Sequence, residues 1–139
     1  MLVLVFVDFY PGVFTRFSTL DARPVDYWLA TQPDIGAVAQ FPFSYESDQG
    51  QVYNTLVSDK PYLGGFFNAN FPEQYNNIKP VMDDFPSAES VDLLRELGVA
   101  YVVVDSSAYY HFTAVDLKIQ SFGLQLLNVS EEEYVYGWP

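Results

Sequence analysis

His111 is the single histidine of the chain, so a serine–histidine–carboxylate relay could be built only around it. The Gly-x-Ser-x-Gly turn that often presents such a serine is missing from the sequence. With Tyr109 and Tyr110 beside it, His111 reads more simply as a helix-surface or partly packed side chain. There is no cysteine, which removes thiolate nucleophiles, thiolate metal sites and disulfides together. Zinc would have to be held by His111 and carboxylates alone, a poor donor set. The sequence also lacks a phosphate-cradling glycine loop. No catalytic set, metal or cofactor is expected.

Carboxylates are the remaining chemistry. Asp83-Asp84 and Glu131 to Glu133 are the obvious clusters for general acid–base work, but adjacent side chains diverge, and such runs usually form solvated turns. Glu46 and Asp48 would share one side of an extended segment, as a divalent-cation pair would require; no further ligands lie nearby in sequence. Asp8 and Asp105 each end a predicted strand, where open parallel sheets gather ligands. Asp105 is therefore the carboxylate to inspect beside any pocket, although capping the next helix is the preferred role.

The stretch from Tyr62 to Asn77 has a composition suited to contact. Flat rings give rigid contact area, and planar amides both donate and accept hydrogen bonds. Tyr62, Phe66, Phe67, Asn68, Asn70 and Tyr75, together with Asp105, are the candidate binding residues, with Asn76 and Asn77 close by. A sugar face or a protein partner suits this set. A self-covering Ω-type loop would use the same rings internally, and that is the favoured reading. Asn128-Val129-Ser130 has the form of a glycosylation sequon, but it falls in a predicted strand and receives no weight.

Eighteen acidic against six basic residues give a formal charge of −12. Nucleic acid is therefore excluded as a partner, and anionic lipid surfaces are disfavoured. Half of the 139 residues are hydrophobic and 18% are aromatic, enough for one domain spanning residues 1–139. Met1 to Val7 is too short to span a bilayer, has no basic flank and meets Asp8. It reads as a buried strand, or else as the exit of a longer membrane helix.

The elements that must position these groups follow from periodicity and punctuation. Strands are expected at Leu2–Phe9, Ile35–Phe41, Val99–Val104, Phe122–Val129 and Tyr134–Trp138, the last two as a terminal hairpin. A helix follows Pro24, with Val25, Trp28 and Leu29 on one face. A short helix over Gln51–Asp59 would carry Val52, Leu56 and Tyr53, after a polar loop at Ser44–Gly50. Lys60–Phe71 reads as a structured loop with at most one short strand, and Pro72–Asp84 as a helical turn or two. Ser87 caps a helix whose stripe is Val91, Leu94 and Leu97, with Leu93 beside it; Gly98 ends it before the β-branched run. A further helix follows Asp105-Ser106-Ser107 and runs through about Gln120. The fold expected is α/β: a mixed, partly parallel sheet of about five strands with helices packed on it and a C-terminal β-hairpin.

Several stretches resemble the extracytoplasmic region of polytopic glycosyltransferase-like membrane proteins, relatives of the protein O-mannosyltransferase and glycosyltransferase C superfamily. They are Pro24-Val25-Asp26-Tyr27-Trp28-Leu29-Ala30, Ala37-Val38-Ala39-Gln40-Phe41-Pro42 and Lys60-Pro61-Tyr62-Leu63-Gly64-Gly65-Phe66. The strongest runs from Phe85-Pro86 through Leu94, Leu97 and Gly98 to Val99-Ala100-Tyr101-Val102-Val103-Val104, and Tyr134-Val135-Tyr136 closes the set. The resemblance implies a non-catalytic domain on the extracytoplasmic face, with a parent membrane domain as partner and a glycan or polypeptide acceptor as its contact. In such families the catalytic acidic residues lie in the membrane-embedded part, so none is carried over. Two other classes stay open: a small enzyme using Asp105, His111 or Glu46 with Asp48, and a protein-interaction module built on the aromatic loop.

Overall fold

The computed structural model describes residues 22–65, 67 and 70–139, without the side chains of 46 and 47. The predicted strand Leu2–Phe9, with Asp8, lies outside the described residues, as do Phe66 and Asn68 of the aromatic loop.

The architecture is mixed α/β. Its organising unit is the one that local signals define best. Ser87 Oγ accepts from the Ser90 amide at 3.1 Å and starts helix α4 (Ala88–Glu96). Gly98 then turns with φ +72°, a conformation that a side chain would oppose. The chain passes directly into strand β2 (Val99–Asp105), buried along Val99–Val104. Preceding these are α1 (Pro24–Ala30), β1 (Ala37–Phe41), α2 (Tyr45–Ser58) and α3 (Glu73–Asp83); following them are α5 (Phe112–Ser121), β3 (Gln125–Ser130) and β4 (Glu133–Gly137).

The described sheet has four strands in the order β1-β2-β4-β3, near the count of about five read from the sequence. β1 runs parallel to β2, β4 runs antiparallel to it, and β3 pairs antiparallel with β4. The β-branched run is thus a central strand, as its unbroken apolarity requires. On one face Val25 and Leu29 of α1 pack with Val38, Tyr101, Val103 and Val135. On the other, Ala39, Phe41, Val102, Val104 and Tyr136 meet Tyr75 and Met82 of α3, Val91 and Leu94 of α4, and Ile119 of α5. Phe41 stacks on Phe85 at 3.8 Å between centroids.

The structure corrects several local expectations. The polar stretch Ser44–Gly50 is no loop, since helix α2 already begins at Tyr45, and Glu46 and Asp48 therefore do not lie on an extended segment. The apolar residues Val52, Tyr53 and Leu56 of that helix face outward, Leu56 being 80% exposed; a buried carboxylate rather than an apolar stripe anchors α2, as shown below. Residues 73–83 form a full helix that accommodates Pro80. Leu97 is exposed at the C-cap of α4 instead of joining its stripe. After Asp105 the expected single helix is split, with a 3₁₀ turn at Ser106–Ala108 preceding α5.

The segment after α2 lies along the outer edge of β1. The Val38 amide donates to the Pro61 carbonyl at 2.7 Å and the Leu63 amide to the Val38 carbonyl at 2.8 Å, so the expected short strand reduces to a bridge at Tyr62. Lys60 fastens the start of this segment. Its buried ammonium donates to the carbonyls of Gln32 (2.9 Å) and Asp34 (2.7 Å) and sits 5.4 Å from the Tyr101 ring centroid.

Candidate functional site

Among the described residues, Asp48 and Asp26 are the carboxylates with almost no surface in water. Asp48 is fully buried on α2, and its two oxygens accept from the Tyr62 hydroxyl at 2.6 Å and the Tyr75 hydroxyl at 3.1 Å. Burial pushes the Asp48 carboxyl above the usual carboxylate range, against both tyrosines and the Gly65 amide, which favour its ionised form. Burial and the same carboxylate push the Tyr62 hydroxyl far upward. Gly64 has φ +148°, and a Cβ there would stand 2.4 Å from the Tyr62 ring and 3.0 Å from Asp48 Oδ1. A residue without a side chain is thus needed for the loop to close over the carboxylate. The arrangement ties α2, the β1-edge segment and α3 together.

A second polar cluster converges on Arg23, just before α1. Its Nε and Nη2 donate to Asp26 at 3.0 and 2.8 Å, Nη1 to Gln40 at 3.3 Å, and Nη2 to Gln51 at 2.9 Å. Nη1 also pairs with Glu133 across the sheet. Burial opposes the Arg23 charge, yet Asp26 and Glu133 outweigh it and hold the guanidinium pKa above its ordinary value. Burial likewise pushes the Glu133 carboxyl up, with Arg23 pulling the other way. Glu133 is therefore a paired carboxylate, in contrast to the solvated turn expected of Glu131 to Glu133.

Asp105 ends β2 as expected and takes the capping role, accepting from the Ser107 amide at 2.9 Å and the Ser107 hydroxyl at 2.6 Å. It lines an open depression of about 440 Å³ with Arg23, Glu131, Glu132 and Glu133. His111 is exposed at the N-cap of α5 with its ring against Tyr110. Asp83 of the other carboxylate pair meets Lys79 on the exposed side of α3. Among the described residues, no three His, Cys, Asp or Glu side chains are grouped to hold a metal ion.

The aromatic loop divides into inward and outward groups. Tyr75 is buried, and the half-buried Phe67 packs against the main core. Tyr62 is half-buried and points its hydroxyl inward to Asp48. Asn70, Asn76 and Asn77 are exposed. Of the predicted binding residues that are described, Tyr62 and Tyr75 meet at Asp48, Phe67 packs edge-on against Tyr75 at 5.4 Å between centroids, Asn70 is exposed, and Asp105 caps the turn after β2. The residues missed by local spacing were Asp48 as a buried anchor, Arg23 as a hub, and Phe71, which is 39% exposed.

The fold and its polar clusters define a mixed α/β domain whose buried ionisable groups bind its elements to one another. No family model matches the sequence, and no curated protein matches it. Among solved structures, the chain is similar to the C-terminal globular domain of an oligosaccharyltransferase from Archaeoglobus fulgidus. Identity is 12% and the TM-score 0.47, over 83% of this chain and 94% of that one. A likeness of this extent says nothing of what the present chain binds. No helix among the described residues is long and apolar enough to cross a membrane.

Proposed function

We propose that residues 1–139 are a non-catalytic extracytoplasmic domain of a membrane glycosyltransferase-like protein, contacting a glycan or polypeptide acceptor through the loop that carries Asn70. One observation supports this reading above others. The stretches of sequence resemblance, scattered along the chain, fall on α1, β1, the β1-edge segment, α4, β2 and β4, which pack directly on one another. The stretches that carry the resemblance are thus parts of a scaffold. The ionisable groups agree with that role: Asp48 anchors α2, Arg23 joins α1 to β4, and Asp105 caps a turn.

The purified chain is expected to turn over no generic ester, phosphoester or glycoside above the buffer rate. A measurable rate that disappears in Asp105→Asn or His111→Ala would move the chain to the enzymes.

A further inference from the structure

We propose that Phe71, with Asn70 preceding it in the chain and Asn76 bonded to its backbone, is a stacking platform for a neutral hexose unit, an inference that rests on the proposed glycan contact and narrows it to one ring. Phe71 occupies an unusual position in its aromatic cluster. It stacks on Tyr75 with centroids 5.2 Å apart and planes 16° from parallel. Tyr45 and Phe67 meet it edge-on, at 4.8 and 5.9 Å. These three partners are buried or half-buried, whereas Phe71 keeps 39% of its surface in water. Tyr45 is itself fixed, its hydroxyl donating to the Phe67 carbonyl at 2.7 Å. A ring braced in this way loses little further freedom when a ligand lies against it.

The neighbouring groups suit a sugar. A pyranose offers a face of C–H bonds and a rim of hydroxyls, the former matching an aromatic surface and the latter a planar amide that donates and accepts. Asn70 and Asn76 are exposed, and the Asn76 side-chain amide donates to the Phe71 backbone carbonyl at 3.4 Å, which ties it to the residue that carries the ring. The nearest charge in sequence is Glu73, exposed in the first turn of α3. Together with the net charge of −12, it disfavours uronic acid or sulfated saccharides, and the uncharged ring and amides match the C–H face and hydroxyl rim of a neutral hexose.

The test is a heteronuclear NMR titration of the chain with linear trisaccharides of neutral hexoses at millimolar concentration. Saturable shifts are expected at the Phe71 ring and the Asn70 and Asn76 side-chain amides. Phe71→Ala should weaken binding about tenfold while the β2 amide resonances stay in place, and Phe71→Tyr should retain it. Absent shifts, shifts scattered over the chain, or binding unchanged in Phe71→Ala would overturn the platform. Shifts at these residues produced only by an unstructured peptide would assign the surface to a polypeptide and overturn it equally. A chain found outside the cell in a membrane protein, yet silent to every sugar, would lose the platform and keep its domain assignment.

Discussion

Val103→Asp is expected to abolish the folded state. Val103 is fully buried at the centre of the sheet, with Gln40 of β1 and Val135 of β4 as its strand partners. Its cluster is closed by Val25 and Leu29 of α1, none of which can neutralise a carboxylate. An unpaired buried charge costs several kcal/mol even after relaxation, and a domain has only about 5–15 kcal/mol in total. Circular dichroism should show no cooperative thermal transition. Val103→Ala, which removes apolar volume but adds no charge, should lose only about 1–3 kcal/mol and still melt cooperatively. A Val103→Asp variant melting like the parent would mean that β2 is not the buried central strand.

Arg23→Leu should have the second largest effect. Asp26 is almost fully buried, and its carboxylate takes two bonds from the guanidinium. Without Arg23, Asp26 and the half-buried Glu133 would face each other uncompensated. Because the Arg23 side chain keeps 26% of its surface in water, the loss should be about 3 kcal/mol, at the low end for a broken buried pair. Adding Asp26→Asn should restore much of it, so that the two substitutions are strongly non-additive in denaturant midpoints. A loss below about 1 kcal/mol, as exposed pairs give, would contradict the hub.

What the sequence disclosed and what it hid follow from the reach of each signal. The Ser87 cap, Gly98 and the β-branched run act within a few residues, so α4 and β2 could be read directly. The terminal hairpin and the capping role of Asp105 were legible for the same reason. Of helix α2 only the second half was legible, as the expected helix over Gln51–Asp59; its start at Tyr45 was not, because its apolar residues point to solvent while Asp48, outwardly an ordinary surface acid, is its anchor. The tyrosines that hold Asp48 lie 14 and 27 residues away, and Glu133 lies 110 residues from Arg23. No local spacing encodes such pairs. In the aromatic loop the composition was readable, but which of its described rings stays outside was not. That outcome depends on Asp48 drawing Tyr62 and Tyr75 inward, and it leaves Phe71 at the surface.

The most direct measurement is where the gene product resides. Native cells should be fractionated and probed with an antibody raised against residues 22–139, with and without protease added to intact cells. The account predicts a membrane-fraction polypeptide well above the 15.8 kDa of this chain, whose epitope is lost when protease is added from outside. A 15.8 kDa species in the cytosol, protected until the cells are lysed, would contradict it.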